Sequence, residues 1–586
     1  MHTRALAKPQ ELSNTAWAYA QLSFLHLPLM DAIAAASIAK ITQCLSQDHS
    51  NLAWAFATLH LPNAPLCDSI AAAALRTIRQ FERQHLVNTA WSFATLRFEH
   101  PPLMKAISAA ALPKLADIPP HGLASLAWAL ARLACADAPL LDAIAAQAMR
   151  LLDSRAPRLA GRNVGMLLWA FGRTGGLPHV WALLEASRTA GQHLDGLSLG
   201  GVVQACRELS LHHSEVRLMQ QHLSRGAMGA VALDACALLL AEVGAAGEAL
   251  ELLRAGADAG LFGQVSSRVW AACDGGSLPV EPLEGLEVEL GEPYSKELRL
   301  LAHVLRTAVP GDVDSVCAAV ETFGEEKLPG TSHWLKIAGG TKAGLLVTCA
   351  RRAPRDGFVL EVGTYCGYSA ARLAAARASG RPPRGPLVVT LEVDAAHAIV
   401  ARSLLAFAGL AHRVEVLTGH SEDVLPWLVR RMKDRVPPGA FVDMVFLDQR
   451  GSRYEADLAV LQQAGALSPG AVVVADNVLK PGAPLFLWRV THGAGYATEV
   501  FSMTEFAMSG VEDWMTVSVY QPDSHQAAVR DPPIELRMLD WKAQQMRART
   551  HRPDHGGSGV GFAEWAEFAS EMRRGFAAAG FEAEPL

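Results

Sequence analysis

Apolar and polar positions divide the chain into two textures. Over roughly the first 185 residues, alanine and leucine dominate and apolar residues recur at three and four, the spacing of a helix with one buried face. Two phrases repeat there. NTAWAYAQL at Asn14 returns as NLAWAFATL at Asn51, NTAWSFATL at Asn88 and SLAWALARL at Ser125, so that Trp17, Trp54, Trp91 and Trp128 stand 37 residues apart. The second phrase begins at Pro28, Pro65, Pro102 and Pro139. A looser fifth copy surrounds Trp169. Proline opening the second segment and no glycine before Gly122 predict a helical hairpin per unit. One such hairpin cannot cover its own apolar face, so the units must stack into a solenoid. Each Trp is most simply a packing residue between hairpins.

From about 186 to 290 the pattern stays helical without the Trp phrase and reads as a bridge. Beyond residue 355 the texture changes to short β-branched runs ending in glycine or acid: FVLEVGTYCGYS, LVVTLEVD, VEVLTGHSED, VDMVFLDQR and AVVVADNV. Helix-like stretches separate them, which predicts a βαβ parallel sheet with ligands at the carboxyl ends of its strands. The segment 522–586 shows a helix around ELRMLDWKAQQMRART, a Gly/Ser break, and a last amphipathic stretch. The expectation is a multidomain chain, an all-α helical-repeat solenoid followed by an α/β Rossmann-like domain.

Length supports more than one domain, since 586 residues exceed what one core organises. A net charge of −6 gives no overall attraction for nucleic acid, so any such role must be local. Nine scattered cysteines without a C-x-x-C pair fit a reducing compartment and no zinc site. Cys366, beside a glycine loop, reads as a small packing residue because nothing local supplies a base. No apolar run nears the roughly 18 residues of a membrane span. The N-terminus enters repeat sequence within about a dozen residues, so the expected location is cytoplasmic, or organellar if a targeting segment precedes the recorded start.

The first β run places Glu361, Gly363, Tyr365, Gly367 and Ser369 at a strand-to-helix turn, where glycines permit close ligand approach. Glu392 ends the next strand, where a carboxylate can hydrogen-bond both ribose hydroxyls. With an E-x-G-x-x-x-G turn instead of the dinucleotide G-x-G-x-x-G, the pair argues for an adenosine cofactor lacking pyrophosphate. Asp448, Asp476 and Asn477 end two further strands and form an oxygen-only set suited to Mg²⁺. A hydrogen-bonded strand-end cluster is the alternative for any one of them.

Residues 10–175 resemble the octotricopeptide-type repeats of organellar RNA-binding proteins, through the phrase N-x-A-W-A-[FY]-A-x-L. That resemblance implies binding of single-stranded RNA along one face. Basic residues such as Arg76, Arg79, Arg83, Arg97, Lys105 and Arg132 are balanced by Asp68, Glu82, Glu99, Asp137 and Asp142, so a protein-binding scaffold stays open. VALDACALLLAEVGAAGEALELLRAGADAGL, in the bridge, resembles a pentatricopeptide-like hairpin.

Residues 291–521 resemble the catechol O-methyltransferase family, through LEVGTYCGYSA, TLEVD, HSED, DMVFLD, VVADNV followed by PG, and VSVYQP. The resemblance implies Mg²⁺-dependent methyl transfer from S-adenosylmethionine to a hydroxyl of a catechol or related polyphenol. Carried over by position, cofactor contacts fall on Ala338, Glu361, Gly363, Tyr365, Ser369, Glu392, Val393, Ser421, Glu422 and Asp448. The metal ligands are Asp448, Asp476 and Asn477. Asp448, Asn477 and Glu505 face the substrate, with Trp334 and Pro481 as apolar walls. The pattern breaks at Gly451, which stands where the family keeps its general-base lysine. Arg450 stays protonated and is a poor replacement. Lys480, before Pro481, is the candidate relocated base, a solvated surface lysine being the alternative. Lys336 stands where the family prefers methionine. Three readings follow: an active O-methyltransferase with Asp448, Glu505 and Lys480 as its catalytic set, a repeat array that delivers a methyltransferase to RNA or protein, or a binding module that keeps only the cofactor fold.

Overall fold

The computed structural model describes residues 7–135, 137–153, 159–189, 294–326, 328, 335–378, 386–435, 441–493, 495–508, 510–522, 531–550 and 560–586. The bridge beyond residue 189 and Trp334 therefore lie outside the described residues. Packing divides the chain into two units, 1–205 and 206–586.

In the first unit each sequence repeat is a helical hairpin. The Trp phrases form helices Pro9–Gln21, Ser46–Thr58, Arg83–Thr95, Pro120–Arg132 and Gly161–Arg173. The proline-led phrases form Leu27–Ala39, Ala64–Thr77, Pro101–Ala111, Ala138–Asp153 and Leu177–Thr189. Each set stacks in its own row, and Phe56, Ile70, Phe93, Ile107 and Leu130 are buried among the rows.

The turns repeat as faithfully as the helices. Ser23, His60, Arg97 and Ala134, again 37 residues apart, adopt left-handed backbone at the end of each Trp helix, and Gly175 does so in the fifth copy. Three residues further on, His26, Asn63, His100 and Asp137 accept a hydrogen bond from the backbone N–H three positions ahead, at 3.0–3.1 Å. Each thereby satisfies an amide that the first turn of the next helix leaves unpaired.

Four of the five tryptophans meet across neighbouring hairpins, as packing residues would, yet part of each ring stays exposed. Trp17 is 42% exposed and the other four are half-buried. Trp17 lies 6.4 Å from Trp54 and Trp128 lies 6.5 Å from Trp169, ring centre to ring centre. With Asn14, Gln47, Asn51 and Asn88, Trp17 and Trp54 line a groove of about 450 Å³. Ala and Leu side chains on the other faces fill the space between helices, which leaves the indoles at the edge of the packing and partly exposed.

The second unit holds an eight-stranded sheet: β1 Phe358–Val362, β2 Val388–Glu392, β3 Val414–Thr418, β4 Val442–Leu447, β5 Leu467–Ala475, β6 Tyr496–Thr504, β7 Glu512–Tyr520 and β8 Glu584–Pro585. The order is β3-β2-β1-β4-β5-β7-β6-β8. β1 to β5 are parallel, whereas β7 runs antiparallel to both β5 and β6. β1, β2 and β4 are buried at every residue, as expected of strands covered by helices on both faces. The chain order reverses between β1 and β4, and a Rossmann-like sheet gathers its ligands at that point.

The C-terminal segment is part of this unit. Helices Ile534–Thr550 and Phe562–Ala578 share one apolar core with β1, β4 and β5, and β8 pairs with β6. Gly575 sits where an added Cβ would meet Leu539 at 2.5 Å, so glycine sets how closely the two helices approach.

Candidate active site

Backbone pairing brings the acid-tipped strand ends together. The Asp448 N–H donates to Val362, the Asp476 N–H to Leu447 and the Gly363 N–H to Leu391, each at 2.9 Å. Gly363, at φ +104°, is where the cofactor turn and the metal-type acids meet, because an added Cβ would lie 2.4 Å from the Asp448 carbonyl. A glycine is required by both conformation and space.

Around this turn the side chains form a cradle. Tyr365, itself left-handed at φ 49°, donates its N–H to Glu392 at 2.7 Å and its hydroxyl to Glu297 at 2.6 Å. The other Glu392 oxygen accepts from the Asp394 N–H at 2.9 Å. Ser369 is buried at the start of helix Tyr368–Arg377. Glu361 is fully buried and accepts from the Thr390 hydroxyl, but its Oε1 has no hydrogen-bond partner. Burial raises its carboxyl to about 7, against the Ser369 and Thr390 hydroxyls that favour the charged form. An orphaned buried acceptor at a cofactor turn fits the cationic amino group of S-adenosylmethionine. Val393 is half-buried past β2, and Ser421 is buried at the first turn of helix Ser421–Arg435. Glu422 pairs with Arg453 at 3.3 Å. Ala338 is fully buried before the glycine pair 339–340, while Lys336 is exposed.

Beyond the turn lies a buried charge cluster. Lys342, in the first turn of helix Thr341–Arg352, touches Asp476 at 2.7 Å, Glu505 at 3.0 Å and Asp513 at 2.9 Å. The preceding Gly339 lies against the Phe506 ring, which an added Cβ would meet at 2.7 Å. Asp513 also accepts from the Asn477 amide at 2.8 Å and the Lys480 N–H at 3.0 Å. Lys480 is 5% exposed and pairs with Glu505 at 2.9 Å, so it is a buried cluster member and not a solvated lysine. Pro481 is half-buried beside it. Lys342 and Asp513 escaped the sequence reading. Lys342 stands in the phrase GGTKAG at 339–344, but two of its partners lie 163 and 171 residues away, beyond any local pattern.

The electrostatics separate the carboxylates. Burial would raise Glu505, yet Lys342 and Lys480 outweigh it and hold the carboxyl well below the usual range. Burial pushes Asp476 up to about 6 although Lys342 opposes it. Asp448 is driven well above its ordinary value by burial and by Asp476. Four acids, Asp448, Asp476, Glu505 and Asp513, thus face two lysines. With all four ionised the cluster would carry two negative charges in excess, and a divalent cation at Asp448 and Asp476 would offset the cost that burial puts on ionising these two. Asn477 donates through its amide nitrogen to Asp513, which leaves its oxygen as the acceptor for such an ion. Among the described residues no three His, Cys, Asp or Glu side chains alone are arranged to hold a metal. The amide of Asn477 is what would complete this set.

Cys366 is fully buried, and burial raises its thiol well above the ordinary value, as for a packing residue. No helix among the described residues is long and apolar enough to cross a membrane.

The sheet order and the acids ending β1 and β2 define a Rossmann-like S-adenosylmethionine-dependent methyltransferase. A family model described as Methyltransferase domain matches residues 360–478, and one described as RNA-editing substrate-binding complex 6 protein matches residues 8–139. The catechol O-methyltransferase of Mus musculus is 36% identical over 228 residues, which are 39% of this chain and 79% of the relative. That of Bos taurus is 36% identical over 227 residues, 39% of this chain and 77% of the relative. A solved O-methyltransferase from Bacillus cereus in complex with SAH is 24% identical, covers 38% of this chain and 91% of its own, and superposes with a TM-score of 0.28. The chain belongs to the catechol O-methyltransferase family, and its C-terminal unit is an S-adenosylmethionine-dependent O-methyltransferase.

Proposed function

We propose that the chain methylates a hydroxyl of a catechol or related polyphenol, with Mg²⁺ held by Asp448, Asp476 and Asn477. The supporting observation is the junction at Gly363, which sets the cofactor cradle of Glu361, Tyr365, Ser369 and Glu392 against the Asp448–Asp476 acids. Bound Mg²⁺ would supply Lewis acidity that makes a phenolic hydroxyl easier to deprotonate. The chain's own residues do the rest. Glu505, held ionised between two lysines, is positioned to accept a hydrogen bond from the acceptor's hydroxyl. Lys480, ion-paired with Glu505, stands in for the family lysine that is missing at Gly451. Burial of the cluster excludes water, which favours a step that brings opposite charges together.

The test is methyl transfer from labelled S-adenosylmethionine to catechol, with Mg²⁺ or with chelator. Product only with Mg²⁺ is expected. Cofactor binding without turnover would reject the reading and leave the alternative, a repeat protein whose methyltransferase unit acts on another substrate or only binds cofactor.

For the repeat unit we propose binding of single-stranded RNA, favoured by the row of half-exposed Trp17, Trp54, Asn14, Asn51 and Asn88. Indole faces stack bases, and amides hydrogen-bond base edges. The groove carries no charged lining residue. Filter binding with the full chain should therefore show a shallow salt dependence. Trp54→Ala should weaken binding by about 1–3 kcal/mol, and equal retention by both proteins would redirect the search to protein partners.

A further inference from the structure

The C-terminal helices do more than extend the core. Trp565, from helix Phe562–Ala578, places its ring centre 5.1 Å from the Lys480 ammonium, whose backbone N–H is anchored on Asp513. The loop bearing Lys480, Val478–Gly482, packs against both C-terminal helices. Its Gly482, at φ +111°, has Met572 in the place an added Cβ would need, with only 2.7 Å between them. Arg547, from helix Ile534–Thr550, donates to the Gly482 carbonyl. That same guanidinium fills the room at Gly451: an added Cβ there would meet Arg547 Nη2 at 2.6 Å and the Gly482 carbonyl oxygen at 2.9 Å. Gly451 therefore leaves room for the C-terminal helices, and a lysine in its position would collide with the backbone they hold.

We infer that helices Ile534–Thr550 and Phe562–Ala578 are a working wall of the methyl-acceptor site, in which Trp565 positions Lys480 and Arg547 takes the space vacated at Gly451. A cation facing an indole is attracted by the ring quadrupole and confined by its flat surface. Lys480 is thus held from three directions: its backbone by Asp513, and its ammonium by Glu505 and by Trp565. In this account the site has moved its amine from the strand β4 loop to the Val478–Gly482 loop, and the C-terminal helices are the support that the relocation needs. Trp565 is a positioning residue, since it acts through Lys480 and touches neither acceptor nor cofactor in this argument. The kinetic part rests on the methyl-transfer reading proposed above.

Two substitutions in the full chain, Trp565→Phe and Trp565→Ala, test it through two readouts. The first is steady-state kinetics with catechol and Mg²⁺. Trp565→Ala should lower kcat by about tenfold to a hundredfold, the scale of a misplaced reacting group, with KM for S-adenosylmethionine within about twofold of the original. Trp565→Phe, which keeps an aromatic face, should recover most of that loss. The second readout needs no turnover: acetylation of Lys480 by a water-soluble N-hydroxysuccinimide ester, followed by peptide mass spectrometry. Lys480 should be protected in the original protein and in Trp565→Phe, and labelled several-fold faster in Trp565→Ala, with every protein labelled well below its own melting temperature, which the cavity left by Trp565→Ala lowers. Unchanged Lys480 labelling in Trp565→Ala overturns the inference, as does a loss of kcat that Phe does not rescue. Failure of the original protein to methylate catechol rejects the methyl-transfer reading alone, because the labelling experiment still decides whether Trp565 holds Lys480.

Discussion

Glu361 shows how one buried atom can carry a cofactor argument. Its carboxyl is raised to about 7 chiefly by burial, against about 4.3 in an unfolded chain. A raised acid favours folding while protonated, so that contribution is full below about 4.3 and is lost as pH rises through about 7. Glu361→Gln stays neutral throughout. Cofactor-free Glu361→Gln should match the original protein near pH 4.5 and exceed it at pH 8 by up to about 3 kcal/mol, while binding S-adenosylmethionine more weakly. Thermal melts across pH with calorimetric titration check both halves, and parallel pH profiles would show that the carboxyl does not titrate as described. Single residues were also where the sequence was least legible. Glu361, Glu392, Asp448 and Asp476 could be picked out because each ends a strand-like run. Lys342 and Asp513 could not, since their meaning lies in a pairing across 171 residues. Lys480 was legible as a candidate but not its burial, which is set by helices that follow it in the chain by more than fifty residues.

Elements were more readable than their surroundings. The five parallel strands announced themselves as continuous apolar runs, the signature of strands covered on both faces. β6 carries alternating exposure near the sheet edge, Tyr-Ala-Thr-Glu-Val, and was missed for that reason. β8 is two residues long and exists only through its pairing with β6. In the repeats the helices were plain, but the caps were not. His26, Asn63, His100 and Asp137 share a position and a role across three residue types, so no single letter recurs in all four copies to draw the eye. The role is testable. Asn63→Ala removes the acceptor for the Leu66 N–H at 3.0 Å and should cost about 1 kcal/mol, read as a lower denaturant midpoint with an unchanged slope. Asn63→Asp should restore it. A slope that changes instead would mean the hairpin order is altered, not merely its end.

Taken whole, the chain is two units with separate cores, one stacked from local hairpins and one organised around a sheet of long-range pairings. Solenoid repeats unfold through nearest-neighbour contacts, whereas a sheet with ordered crossovers unfolds as a block. Calorimetry of the full chain should therefore resolve two transitions, and ligands identify them. S-adenosylmethionine with Mg²⁺ stabilises only the state that binds it, by about 2.7 kcal/mol at a hundredfold excess over Kd. The transition belonging to 294–586 should move up by several degrees while the repeat transition stays in place. The Mg²⁺ increment should also depend on pH. Asp476 is raised to about 6 by burial and Asp448 is likewise driven well above its ordinary value by burial and by Asp476, and a ligand carboxyl must lose its proton before it holds the ion. Added Mg²⁺ should thus raise the second transition at pH 8 and have little effect at pH 5, with chelator reversing the gain. A shift that is equal at both pH values would mean that the ion binds away from these two acids. A shift of the repeat transition would mean that the two units are thermodynamically coupled, and the repeats would then report on whether the methyltransferase is loaded.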